Sequence, residues 1–223
     1  VYPHGRAANP PESEFIDFAG VSCNTVAPND FSYFEALNAV VQEEPLDAIG
    51  PEERGLLAAI GIVKGQPFAP DERMKRLLTE AATLGNASAR AITYEPRIGG
   101  VFIYPDMDSA WTTAYADKNT TFETNGAMGL DARVLFYFNA TGVTQAMAAT
   151  TVGQGSDYAL AYLDAEKKPL DGSKTYRLHL PPDVPVNNFW AVTLYDTQTR
   201  SLLQTDQEFP TIGSQTEGMT QNA

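Results

Sequence analysis

The run Thr175-Tyr176-Arg177-Leu178-His179-Leu180, with Asp171-Gly172 ahead of it and Phe189-Trp190-Ala191-Val192-Thr193-Leu194-Tyr195 behind it, decides the fold class. Tyr176, Leu178 and Leu180 alternate with Thr175, Arg177 and His179, the two-residue period of a strand with one buried face. Asp171-Gly172 is a turn signal. Phe189 to Tyr195 is apolar on both faces, which predicts a central strand. The loop from Pro181-Pro182 to Asn188 joins the two. Asp196-Thr197-Gln198-Thr199 then turns the chain into Arg200-Ser201-Leu202-Leu203, and upstream Tyr158, Leu160 and Tyr162 alternate with small residues. The last third therefore reads as an antiparallel meander.

Moving towards the N-terminus, the period changes to that of helices. Val134 to Phe138 is apolar enough for either a buried strand or a helix. Leu130-Asp131-Ala132-Arg133 as a polar start and Ala140-Thr141-Gly142 as a stop favour a helix, with a second short one over 143–150. Val101 to Tyr104 reads as a strand, and Trp111 to Tyr115 as a half-polar strand or loop. The clearest helix opens at Pro70-Asp71-Glu72 and carries Met74, Leu77, Leu78, Ala81, Gly85, Ser88 and Ile92 at helical spacing to about Tyr94. Its second half is crowded with small residues, which predicts deep burial, and Pro96 closes it. An earlier helix starts at Pro51, with Glu52 and Glu53 where the helix dipole favours negative charge and Leu56, Leu57 and Ile60 as its stripe. The first helix is capped by Asn29 or Asp30, carries Phe31, Phe34, Leu37 and Val41, and stops at Pro45. Residues 1–28, rich in Pro, Asn and Gly, read as an extended or turning segment with one short strand.

Composition removes several functions. The 223 residues are 43% hydrophobic and 10% aromatic, enough for a packed core. No apolar run approaches the roughly 20 residues that span a bilayer. The formal net charge is −13, and residues 1–50 hold eight acids against Arg6 alone. The basic cluster Arg73, Lys75 and Arg76 is flanked by Asp71, Glu72 and Glu80, so a nucleic-acid partner is not expected. Cys23 is the single cysteine, which excludes an internal disulfide and a Cys-based zinc site. No cofactor motif occurs. Asn86, Asn119 and Asn139 each begin a glycosylation sequon, a weak pointer to secretion in a Thr-rich chain.

The stretch from Leu170 to Pro182, followed by Asn188 to Ser201, resembles a mainly bacterial family of uncharacterised proteins built from paired domains of unknown function 1254 and 1214. Ala8-Asn9-Pro10-Pro11, Asn24-Thr25-Val26, Asn29-Asp30-Phe31, Gly65-Gln66-Pro67-Phe68, Pro70 to Lys75 and Ala140-Thr141-Gly142 agree with it as well. The resemblance implies that this chain is an internal piece of a longer protein. It would comprise the end of the first domain (1–28), a helical middle region (29–150) and the start of the second domain (151–223). It also implies an α+β chain whose helical middle precedes an antiparallel, jelly-roll-like β-sandwich, incomplete at its C-terminus. Export to the periplasm or the extracellular space follows from the same likeness, as does a distant relation to glycan-handling enzymes. The family supplies no catalytic residue to carry over.

Among single residues, Trp111, Tyr115, Asp196 and Arg200 form the candidate ligand-binding set. Aromatic faces can stack on sugar rings, and the charged pair can accept from and donate to hydroxyls. Trp190 is expected in the core and Trp111 nearer the surface. His179 beside Arg177 is read as structural rather than as a base. Asp106 and Asp108 are read as turn chemistry rather than calcium ligands, because such a site needs 6–8 oxygens. Ser156, in Gly153-Gln154-Gly155-Ser156-Asp157, lacks the order of a nucleophile elbow. Asp131 and Arg133 are expected to form a buried ion pair. Three functions remain open: a non-catalytic envelope or extracellular binding and assembly module, a carbohydrate-active hydrolase with paired carboxylates, and a structural subunit of a homo-polymer. Self-association and glycan are the expected partners.

Overall fold

The computed structural model describes residues 8, 9, 12, 17, 20, 21, 26–140, 148, 156–180 and 186–218. The extended segment expected over 1–28 and the helix expected over 143–150 lie almost wholly outside them, as does most of the loop before Ser156. The chain divides into two units, residues 1–86 and 87–223. Its class is mixed: four α-helices among the described residues, with small antiparallel sheets.

The first unit is helical. Helix α1 spans Ser32–Glu43, and the Asp30 carboxylate accepts from the Ser32 amide at 2.9 Å and its hydroxyl at 2.6 Å. That satisfies one of the amides that the first helical turn leaves without a partner. Val41 is its buried residue. Helix α2, Pro51–Ala59, begins with Pro at its first position as expected, and Gly61 follows it at φ 89°. Leu56 departs from the expected stripe: it is exposed, while Leu57 and Ile60 are half-buried and Ile62, just past the helix, is buried. Helix α3, Glu72–Tyr94, starts two residues after Pro70, because Asp71 is its cap and accepts from the Met74 amide at 2.7 Å. Its buried face runs through Leu78, Ala82 and Thr93, and of the small residues only Ala82 is fully buried. Ala81, Gly85, Ala87, Ser88 and Ala91 are exposed.

The second unit is built around aromatic rings. Helix α4, Leu130–Asn139, buries Ala132, Leu135 and Phe136, as the helical reading of this run expects. Phe136 meets Tyr115 at 4.6 Å between ring centroids and Phe122 at 5.7 Å, and Ala132 and Ala148 complete this core. The expected Asp131–Arg133 pair does not form, and Asp131 is exposed. Residues two apart on a helix point to different sides, and Asp131 instead sits in the first turn, where the dipole favours an acid.

Strand pairing is local. A hairpin joins β1, Glu123–Thr124, to β2, Ala127–Met128, through Asn125 and Gly126, both at positive φ. The expected strand at Val101–Tyr104 reduces to single bridges: Phe102 pairs with Thr112, which also pairs with Leu160. The turn at Asp106–Asp108 is present, and Asp108 pairs with Lys167 at 2.9 Å. Asp171 turns the chain by accepting from the Ser173 amide and hydroxyl.

Two strand expectations need correction. Thr175–Leu180 is exposed throughout and enters no ladder, so the buried face expected for Tyr176, Leu178 and Leu180 is absent among the described residues. The expected central strand contains β3, Ala191–Thr193, paired only with β4, Thr211–Gly213. The Leu194 amide donates to Pro210 O, the Ser214 amide to Trp190 O, the Leu203 amide to Leu194 O and the Asp196 amide to Ser201 O. Backbone groups alternate between edges along a strand, so these bonds all lie on one side. Ala191, Thr193 and Tyr195 direct their amides and carbonyls to the other edge, which no described residue pairs.

Candidate functional site

The turn Asp196–Arg200 is fixed by its own backbone. Asp196 accepts at one carboxylate oxygen from the Gln198 amide at 2.9 Å and the Thr199 amide at 2.7 Å. Its carbonyl accepts from the Arg200 amide at 2.9 Å. The Thr199 amide first, and the Gln198 amide second, hold the Asp196 carboxyl below the usual carboxylate range. Arg200 sits at φ 58°, a region that costs a non-glycine residue energy and persists where the surroundings enforce it. Its guanidinium carbon lies 5.1 Å from the centre of the Phe138 ring, within cation–π range.

Beneath the turn is an aromatic cluster drawn from three parts of the second unit. Tyr94, the last residue of α3, stacks on Tyr162 at 5.0 Å and meets the Phe138 edge at 6.0 Å. Its hydroxyl donates to the Thr197 carbonyl at 2.8 Å, which ties the turn to the helix. Tyr162 donates to Asn139 Oδ1 at 2.9 Å, and Asn139 in turn donates to the Leu135 carbonyl. Burial pushes the Tyr162 hydroxyl up to about 12; the Asn139 bond opposes that shift and nearby Tyr94 adds to it. Arg90, one helical turn before Tyr94, lies 5.7 Å from that ring. Two guanidinium groups thus rest on neighbouring rings.

The four residues singled out by sequence do not share one place. Asp196 and Arg200 belong to the turn. Tyr115 is buried in the core against Phe136 and Phe122, where desolvation raises its hydroxyl pKa. Trp111 is half-buried in the bridged segment, its carbonyl accepting from the Ile103 amide at 3.1 Å. Trp190 is half-buried too, neither fully in the core nor on the surface. Sequence reading missed Arg90, Tyr94, Phe138 and Tyr162. Arg90 and Tyr94 were within its reach, because an i, i+4 pair shares a helix face. Nothing local joins Phe138 to Tyr162.

His179 and Ser156 are exposed and lie outside any helix or strand. Among the described residues no three His, Cys, Asp or Glu side chains converge to hold a metal. No helix of the described residues is long and apolar enough to cross a membrane.

Residues 155–223 match the model of a family described as a protein of unknown function (DUF1214). The match covers the sheet-bearing end, including the Asp196–Arg200 turn. No curated protein matches the chain.

Proposed function

We propose that this chain is a non-catalytic binding and assembly module of the cell envelope or the extracellular space. Its ligand contact would be to glycan, through the Asp196–Arg200 turn. The observation that carries this reading is the turn's anchorage: Arg200 lies on Phe138, and Thr197 is held by Tyr94. Guanidinium donors and a carboxylate acceptor are thereby fixed before a ligand arrives, which lowers the entropy cost of binding. Trp111, half-buried in the bridged segment, is a separate candidate stacking face, and Tyr115, buried in the core, offers no ligand contact. The pairing with a 1254-type domain, the division at 28 and 150, the jelly-roll-like β-sandwich and the exported location belong to the same proposal.

The hydrolase alternative is less favoured. A glycosidase needs one carboxylic acid with a raised pKa. Among the described residues, the carboxylates displaced from their ordinary range, Asp30, Asp164, Asp171 and Asp196, are displaced downward. The test is retention of the full chain on immobilised neutral and acidic polysaccharides. Wild type should be retarded on at least one, and Arg200→Ala, with an unchanged circular-dichroism spectrum, should elute earlier. Equal elution of the two proteins on every matrix would end the proposal.

One observation favours assembly as a second reading. The edge formed by Ala191, Thr193 and Tyr195 is unpaired among the described residues, and an open edge is a template for another strand. Sedimentation should then show concentration-dependent mass that Ala191→Pro abolishes, because proline on an edge blocks pairing. A single monomer mass at every concentration would remove this reading.

A further inference from the structure

The first unit contains a cleft that the proposed glycan surface does not involve. It lies between the end of α1, the 3₁₀ turn Leu46–Ala48 and α2, and encloses about 110 Å³. That is smaller than most small-molecule sites and suits only a short ligand; such sites are mostly apolar with a few polar groups that fix orientation. Val41 and Ile62, both buried, belong to its lining, and Leu46, Ile49 and Leu57 add further apolar surface.

The charged groups on this lining are Glu44, Arg54 and Lys64. Lys64 is committed: its ammonium donates to the Gln42 carbonyl at 2.5 Å and the Val41 carbonyl at 3.3 Å, neutralising the end of α1. Arg54 is not. One Nη1 donor reaches the Leu46 carbonyl at 2.6 Å, while a guanidinium carries five donors in a fork that matches a carboxylate. Its remaining donors have no protein acceptor among the described residues. Glu44 is exposed and counts against an anion, so the sign of the site rests on Arg54 and Lys64 together.

We infer that this cleft binds a short-chain alkyl carboxylate, with the chain against Val41, Leu57 and Ile62 and the carboxylate on Arg54. A neutral ligand would leave the guanidinium fork unused. A longer chain would overrun the cleft into solvent, and a dicarboxylic acid would bring a second charge to an apolar wall, at a desolvation cost.

Methyl NMR of the full chain titrated with sodium pentanoate tests this. The Ile49, Leu57, Ile62 and Val63 methyls should shift saturably with a Kd of about 1–10 mM, the range of a small ligand with one charged contact. Arg54→Gln should weaken binding about tenfold, the loss of a charge-assisted hydrogen bond, and pentan-1-ol should bind correspondingly weakly. Ala58→Phe, one helical turn beyond Arg54 on the same face, fills the cleft; it should abolish the shifts and covers the case in which Arg54→Gln fails to fold. Absence of saturable shifts in wild type, equal binding of pentan-1-ol, or unchanged binding by Ala58→Phe would each overturn the assignment. None of these outcomes bears on the Asp196–Arg200 turn.

Discussion

Two titrating side chains report on whether the second unit is packed as described. Asp196 is more acidic folded than unfolded, because amides of its own turn stabilise the anion. Its contribution is therefore present above the unfolded value of about 4 and lost as pH falls through the lower folded value. The Tm difference between wild type and Asp196→Ala should be widest near neutrality and shrink below that point. Tyr162 has the opposite sense. Its hydroxyl is raised to about 12, so its contribution is complete below the ordinary tyrosine value of about 10 and lost as pH rises through the folded one. Phenolate absorbance should show a late-ionising group, and Tyr162→Phe should remove that late phase. A Tyr162 that ionises with the exposed tyrosines would contradict the burial.

At the scale of elements, the sequence was most legible where a turn or cap has a fixed chemistry. Pro51 opens α2 and Asp171 turns the chain, both by local bonding that needs no tertiary knowledge. Asn125-Gly126 was equally legible and went unread: that dipeptide supplies the positive φ values a tight hairpin requires. Faces were harder. The beat of α3 was correct, yet most of its small residues turned outward, because a side chain's size does not say which neighbour meets it. Thr175–Leu180 alternates as a strand should, but alternation describes a strand's own faces and not whether a ladder partner exists. Only half the candidate site was visible for the same reason: Asp196 and Arg200 share one turn, whereas Phe138 and Tyr162 each reach Tyr94 through tertiary packing alone. The cap of α3 gives this scale its prediction. Asp71→Ala removes the acceptor for the Met74 amide and should cost about 1 kcal/mol in chemical denaturation. An unchanged midpoint would show that another group caps the helix.

For the whole chain, the second unit stands on a compact ring cluster. Phe136, 1% exposed, touches Tyr115, Phe122 and Tyr137. Phe136→Ala should destabilise by about 3–5 kcal/mol, from lost transfer energy and the cavity left behind. Calorimetry that shows less than about 1 kcal/mol would mean that this cluster is not the core. The glycan proposal depends on the same packing, since α4 carries both Phe136 and Phe138. A core that positions Phe138 also positions Arg200 above it.

The most direct measurement is a backbone-amide NMR titration of the full chain with a uronic-acid-containing oligosaccharide and a neutral one of equal length. If the turn is the contact, shifts gather on Asp196 to Arg200, Phe138 and Tyr94 for at least one ligand and fade in Arg200→Ala. Spectra unmoved by either ligand, or shifts that leave this turn untouched, would contradict the account.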